Sequence, residues 1–241
     1  MKIGVVEVLL DPGAIDEVQI IGSQNRRLRK ILNKLLSPAA RSDVVERQLL
    51  LAGDLPGITL LNSNYNREDG KGVLTVSVRE NKAKGYLALD NYGPNTLGPI
   101  RARLDLELAG LLSDSDVLTT NVISSALQPK ELTYISARYA TTLGDGGTVV
   151  GITGAAGRTI SGGNLSAFNF SGHNRYISLF VNRALKRSND LNLWLNAELA
   201  YLDVEHWQNV WRCGSNAGPR DTRRDQKRRS PEFTRRRQRK I

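Results

Sequence analysis

Alternating apolar and polar residues dominate the middle of the chain, and residues 101–108 show this pattern most clearly. The odd positions of this stretch are all charged and the even positions are all apolar. Because successive side chains of a β-strand point to opposite faces of a sheet, the pattern predicts one charged face and one apolar face. A membrane β-barrel needs such strands, since its exterior meets lipid and its interior meets water.

The same alternation recurs in about seven segments between Gly85 and Glu205. Turn residues separate the segments, and several have close to the roughly 9–11 residues that a tilted membrane strand needs. The predicted strands are residues 85–92, 99–110, 116–126, 131–141, 147–157, 175–185 and 191–204. Together they predict an antiparallel transmembrane β-barrel portion.

Helical periodicity replaces strand alternation near the start of the chain. Asn25 can cap a helix over residues 26–36, where apolar positions recur at helical spacing and form one face. This face contains Leu28, Ile31, Leu32, Leu35 and Leu36. Pro38 ends the helix, because proline cannot continue it. Ser42, with Asp43, can cap a second helix that carries apolar Val44, Val45, Leu49 and Leu51.

Three predicted strands, at residues 17–22, 57–66 and 72–81, complete this first region. The order strand, helix, helix, strand, strand predicts a compact α+β module of about 65 residues, which is small but large enough to fold alone. Residues 5–10 predict one more short strand ahead of it.

Motifs of this module resemble a POTRA domain, namely residues 18–22, 46–51, 54–57 and 72–76. The best match is the second POTRA domain of the two-partner secretion outer-membrane translocators, the haemolysin secretion/activation proteins. Residues 89–93, 98–101, 134–139 and 185–193 resemble barrel hairpins of the same family. The resemblance implies that the chain has four parts. Residues 1–14 would be a remnant of a preceding POTRA domain, and residues 15–82 a POTRA-like domain. Residues 83–211 would be the N-terminal part of a 16-strand barrel, and residues 212–241 a tail.

The tail carries almost all of the net charge of +10. Residues 212–241 hold 12 basic and 3 acidic side chains, whereas the first 211 residues are close to neutral. Since the tail has almost no apolar residues, we expect it to be disordered. The abrupt change after Trp211 suggests a fragment whose last residues are read in the wrong frame. The alternative interpretations are a solvated tail without a role and an arginine-rich segment whose function is to bind RNA.

Few residues suggest catalysis or a bound metal. The only histidines, His173 and His206, are far apart in the chain, and Cys213 is the only cysteine, so no disulfide framework or thiolate metal site can form. Asp105 and Glu107 share a strand face and could form an acid/base pair. Their neighbours Arg101 and Arg103 favour a charge-balanced wall instead.

Two glycine-rich motifs also have a simpler interpretation than ligand binding. Gly151, Gly154 and Gly157 are spaced like a phosphate loop but lack its opening Gly-x-Gly, so they are interpreted as strand glycines. Residues 144–147 could suggest calcium, but a single copy favours a hairpin turn. We therefore expect no enzyme activity and no cofactor.

The resemblance implies outer-membrane translocation of a large exoprotein such as a haemolysin or adhesin, with the secreted exoprotein in the periplasm and outer-membrane lipid as partners. This fragment is not expected to perform the translocation by itself. No specific nucleic-acid partner is expected, and residues 1–7 show no recognisable signal peptide. An exposed POTRA edge strand would bind the exported chain by β-augmentation through Ile58, Leu60 and Leu61. Alternatively, Ile58 and Leu60 are core residues. Two other functions stay open, namely an outer-membrane protein assembly translocase and a soluble β-rich binding protein with an RNA-binding tail.

Sequencing the genomic DNA on both sides of the reading frame tests the fragment hypothesis. We expect a signal peptide and a first POTRA domain upstream, and further barrel strands in a shifted frame downstream. Flanking DNA without such segments would contradict the hypothesis and favour the soluble binding protein.

Overall fold

The protein is described by a computed structural model over residues 13–38, 40–168, 170–207 and 228–234. The described chain forms a three-stranded sheet with two helices, followed by an eight-stranded antiparallel sheet. The strand predicted at residues 5–10 lies outside the described residues, as does all but the end of the predicted 1–14 remnant. Neither described helix is long and apolar enough to cross a membrane.

The first unit, called the small module below, has the predicted element order. It consists of β1 (Glu17–Ile21), α1 (Arg26–Leu32), a 3-10 turn (Asn33–Leu35), α2 (Ser42–Gly53), β2 (Ile58–Glu68) and β3 (Lys71–Glu80). The strand order is β1-β3-β2, with β1 parallel and β2 antiparallel to β3. The two helices provide the long crossover that a parallel pair requires.

The apolar face of α1 forms the centre of the module's core. Leu28 and Leu32 are fully buried, and Leu35 follows them in the 3-10 turn. Around them pack Ile15, Ile31, Leu51, Ala52, Leu55, Ile58, Leu74, Val76 and Val78. The predicted cap is confirmed, because the Asn25 side chain accepts a hydrogen bond of 2.9 Å from the backbone N–H of Leu28.

Two details of the helix predictions are wrong. The α-helix ends at Leu32 rather than at residue 36, and the tighter 3-10 turn leaves Leu36 46% exposed. In the second helix, Arg41 occupies the cap position and no side chain caps the helix, while Ser42 is already helical. Asp43 pairs instead with Arg41 at 2.9 Å, and this hydrogen-bonded guanidinium lowers the pKa of Asp43.

The second unit, called the large sheet, confirms the predicted strands. Its first seven strands are β4 (Ala83–Asp90), β5 (Arg101–Ala109), β6 (Asp116–Ser125), β7 (Leu132–Leu143), β8 (Thr148–Ile160), β9 (Ser171–Arg187) and β10 (Asn192–Trp207). Each pairs antiparallel with its neighbours in the chain. The strand ends lie within four residues of those predicted from the alternation.

An eighth strand comes from the basic tail. β11 (Arg228–Thr234) pairs antiparallel with β10, so the prediction of disorder across residues 212–241 is wrong for this segment. The outer edge of β10 offers unpaired backbone groups, and a strand can satisfy them whatever its side chains. Pro231 fits because β11 is an edge strand. The rest of the tail lies outside the described residues.

Replacing Leu32 by alanine tests the core assignment. Because Leu32 is fully buried, we expect Leu32→Ala to lower the free energy of unfolding of the module by about 2–5 kcal/mol. The matched control is Leu36→Ala, four residues away, which should change it by less than about 0.5 kcal/mol because Leu36 is exposed. Hydrogen exchange of the α1 amides in denaturant measures both values. Equal effects would contradict the assignment.

Candidate functional site: a polar sheet face and its junction with the small module

One face of the large sheet carries charged side chains that pair with one another, both between neighbouring strands and along one strand. Lys84 lies 3.2 Å from Glu107, and Asp90 lies 2.9 Å from Arg101. Asp105 pairs with Arg103 at 2.7 Å and accepts a hydrogen bond from Asn121. Because Asp105 and Glu107 are each paired with a cation, they form part of a charge-balanced wall, as the sequence favoured.

The same face continues across the later strands with two contacts of aromatic side chains. The guanidinium of Arg138 lies 3.7 Å from the centre of the Phe180 ring, and Tyr176 donates a hydrogen bond to Glu198. Phe180 lies directly over Gly151, where an added Cβ would collide with the ring. Gly151 therefore makes room for an aromatic neighbour, which supports the strand-glycine interpretation.

The opposite face of the large sheet is largely apolar and exposed, with charged residues such as Arg175, Asp203 and Glu205 toward one end of β9 and β10. Residues directly opposite each other in an antiparallel ladder share a face, so the register assigns the members of this face. They include Leu87, Leu89, Leu104, Leu106, Ile135, Ile152, Ile177, Leu179, Val181, Leu195, Leu199 and Tyr201, all exposed. An exposed aliphatic face of this extent is typical of strands that meet lipid.

Helix α1 attaches the small module to the turn between β7 and β8. Asp145 in this turn is surrounded by three cations of α1 and the turn after it, with Arg27 at 3.7 Å, Lys30 at 3.8 Å and Lys34 at 3.2 Å. Its side chain is only 12% exposed. Arg27 also donates to the backbone carbonyls of Thr142 and Gly144 at 2.8 and 2.9 Å. The carboxylate of this turn thus serves the junction, which agrees with a hairpin turn and not a calcium site.

Helix α2 makes the second half of the junction with the turn between β9 and β10. Arg47 donates to the backbone carbonyl of Ala184 at 3.2 Å, and Arg187 pairs with Asp54 at 2.9 Å. The backbone N–H of Asn189 donates to Glu46 at 2.6 Å. Every one of these contacts joins the module to the ends of strands rather than to their middles.

Apolar packing accompanies these polar contacts. Leu51 of α2 packs on Gly147, where a side chain would collide with it, and Ala184 belongs to the buried core of the module. Trp194 packs against the same core. The register places Ala184 opposite Trp194, on the polar face. The module therefore adjoins the polar face at this end of the sheet, which is called the module end below.

The predicted binding strand, β2, does lie at an edge of the module's sheet. Ile58, however, is 6% exposed and belongs to the core, and Leu60 packs against that core, so neither is available as predicted. Leu61 is 53% exposed. The register shifts from Leu60 to Asn62, which makes Leu61 the extra residue of a β-bulge.

The two histidines are not brought together. His173 lies opposite Glu205 on the apolar face, whereas His206 lies opposite Gly172 on the polar face. Within the described ranges, no group of three or more histidine, cysteine, aspartate and glutamate side chains is placed to hold a metal ion.

The junction is the functional feature that sequence reasoning missed. Arg27, Lys30 and Lys34 are spaced so that they share one side of a helix, and no acidic residue of α1 balances them. Such an unbalanced basic stripe signals a partner elsewhere. Only the fold shows that the partner is Asp145, more than a hundred residues further along the chain.

Neutralising Asp145 should loosen the module from the large sheet. In Asp145→Asn, three cations lose their common partner. We therefore expect the rate of amide exchange in α1 and in residues 144–147 to rise about tenfold, because the free energy of local opening falls by about 1–2 kcal/mol. High salt should have the same effect on the unmodified protein. The control is the exposed Asp190 in the turn between β9 and β10, where Asp190→Asn should leave these exchange rates unchanged. Unaltered exchange in Asp145→Asn would rule out this role.

Comparisons with known proteins identify a family and a similar fold. A sequence profile of the haemolysin secretion/activation proteins ShlB/FhaC/HecB matches residues 70–209, more than half of the chain. CdiB from Acinetobacter baumannii has a similar fold, with a TM-score of 0.58 and 13% identity over 82% of this chain and 39% of that chain. CdiB from Escherichia coli is also similar in fold, with a TM-score of 0.58 and 14% sequence identity over 83% of this chain and 39% of that chain.

The chain therefore spans less than half the length of these two solved relatives. A search of curated protein sequences finds no match. The profile match covers the first seven strands of the large sheet and the last strand of the module. The chain belongs to the family of haemolysin secretion/activation proteins.

Proposed function

We propose that this chain is the periplasm-facing and early-barrel part of a translocator that moves a secreted exoprotein across the outer membrane. The family consists of non-enzymatic outer-membrane translocators of two-partner secretion. In this proposal residues 15–82 act as the POTRA-like domain and residues 83–211 as the first part of the barrel. Residues 1–14 would be the remnant of a preceding POTRA domain.

The observation that carries this proposal is the position of the small module at the module end of the polar face. Ala184 and Trp194 lie on that face and also contact the module's core. A polypeptide leaving the module would therefore meet the polar wall first, and the apolar face last. The balanced ion pairs of the wall offer neither a strong positive nor a strong negative surface to which a passing chain would adhere.

The exported chain would bind the β2 edge, but through fewer of the residues that the sequence suggested. Since Ile58 and Leu60 are packed in the module, side-chain contacts would come from Leu61 and from the exposed residues after it, 62–66. These residues are polar asparagines, serine and tyrosine. Main-chain hydrogen bonding along such an edge accepts many sequences, which suits a transporter of long unfolded chains.

The other two functions have weaker support. An assembly translocase would also combine POTRA domains with a barrel, but the profile match is to the secretion family. The soluble RNA-binding protein depends on a tail that is mostly outside the described residues. It also leaves the wide exposed aliphatic face of the large sheet without a partner.

Photo-crosslinking in exporting cells tests the route. A crosslinking amino acid at Leu61 and another at Asn182 on the polar face should each capture a polypeptide that is also found in the medium. The matched controls are Leu36, which is exposed on the module away from β2, and Leu195 on the apolar face. Neither control should capture that polypeptide. Equal capture at the control positions, or none at Leu61 and Asn182, would show that the route is wrong.

A further inference from the structure

Two exposed leucines protrude from the turn between β5 and β6. Leu112 is 83% exposed and Leu111 is 49% exposed. This turn lies at the module end of the large sheet, because the amide of Asn25 in the module donates to the backbone carbonyl of Asp114 at 2.7 Å. Single exposed leucines are common, but an adjacent pair held in a rigid turn points to a contact surface.

The turn is held by one buried carboxylate. Asp116 is fully buried and accepts hydrogen bonds from the backbone N–H groups of Leu111, Leu112 and Ser113 at 2.8, 2.8 and 2.9 Å. It also accepts one from the Tyr139 hydroxyl at 2.8 Å. Bonds to an ionised acceptor are strong, so the backbone keeps its shape without help from the leucine side chains. The leucines are therefore presented outward by a preformed frame.

The frame, which consists of residues 111–113 and the Asp116 carboxylate that holds them, lies on the side of the apolar face of the large sheet. Tyr139 lies opposite Leu118, and Leu118 lies opposite Leu108, so all three belong to the apolar face. The hydroxyl oxygens of Ser113 and Thr141 are 3.5 Å apart, and Thr141 shares that face with Tyr139. The leucine pair thus continues the aliphatic band beyond the ends of its strands.

We propose that Leu111 and Leu112 form a lipid anchor that inserts into the membrane leaflet facing the small module. This inference depends on the membrane placement of the large sheet in the proposed function. Continuity with the aliphatic face identifies lipid as the partner, since the exported chain would follow the opposite, polar face. A tyrosine beside the anchor suits the headgroup region, where aromatic side chains with a polar end are enriched.

The anchor would also set the height of the module above the membrane. Because Asn25 caps α1 and binds the turn at Asp114, a turn held at the bilayer surface holds the start of α1 there too. Together with the contacts of Asp145 and Asp54, this third contact restricts tilting of the module against the strand ends.

Spin-label accessibility of the full chain in lipid nanodiscs tests the anchor. In a Cys213→Ser background, a nitroxide is attached after Leu112→Cys, with Leu106→Cys in the middle of the apolar face as the lipid reference. The aqueous reference is Lys71→Cys, at the exposed start of β3 and outside the proposed binding segment. We expect the label at position 112 to collide with a water-soluble nickel complex at least about threefold less than the label at 71.

The three labels separate the possible failures. Protection at 106 but full exposure at 112 would overturn the anchor and leave the translocator proposal intact. Exposure at 106 as well would overturn both, because the sheet would not lie in the bilayer. Protection at 112 that develops only after an unfolded polypeptide is added would replace lipid by the exported chain as the partner.

A second set of variants tests the frame itself. Asp116→Ala removes the acceptor of three backbone bonds, so the label at 112 should gain mobility and lose at least about half of its protection. Asp114→Ala changes an exposed carboxylate of the same turn and should leave both readings unaltered. If Asp116→Ala keeps the label ordered and protected, the frame does not position the leucines.

Discussion

Pairing of the backbone along the strands is the constraint on which the rest of this structure depends. A strand that faces lipid has no water to satisfy its amide and carbonyl groups, so each must bond to a neighbouring strand. Seven consecutive strands form an unbroken antiparallel ladder, which pairs β5 to β9 on both sides with strands of this series. Even the basic tail contributes a strand at the edge of β10, with a proline that an inner strand would not tolerate. Once the ladder is set, alternate side chains are divided between two environments.

The ends of the strands are the second place where the backbone needs partners, and there charged side chains of the small module and of the sheet itself supply them. Arg27 and Arg47 donate to carbonyl oxygens at the turns, and Asp116 accepts amides within a turn. Hydrogen bonds with charged side chains therefore help to order these turns, in addition to the short turn length and the glycines. This arrangement couples module and sheet through groups that would otherwise have bound water.

The two faces of the sheet offer two different environments. Charges on the polar face are paired with neighbours, as with Arg101 and Asp90, and the Arg138 guanidinium lies over the Phe180 ring. Aliphatic side chains on the other face are exposed. Among the described residues, the module's core contacts the large sheet through Ala184 and Trp194, which both lie on the polar face, so the module adjoins the polar wall.

The sequence by itself determined the strands, their faces and the element order of the module, because strand alternation and helical periodicity are local patterns set by backbone geometry. It also determined the Asn25 cap, whose hydrogen bond spans three residues. Only the tertiary structure decided that Asp145 binds α1, that Leu60 is packed while Leu61 is exposed by a bulge, and that Arg228–Thr234 joins the sheet. These features join residues far apart in the chain or depend on a register shift. No local periodicity encodes them, because their free energy comes from contacts that exist only after the fold has formed.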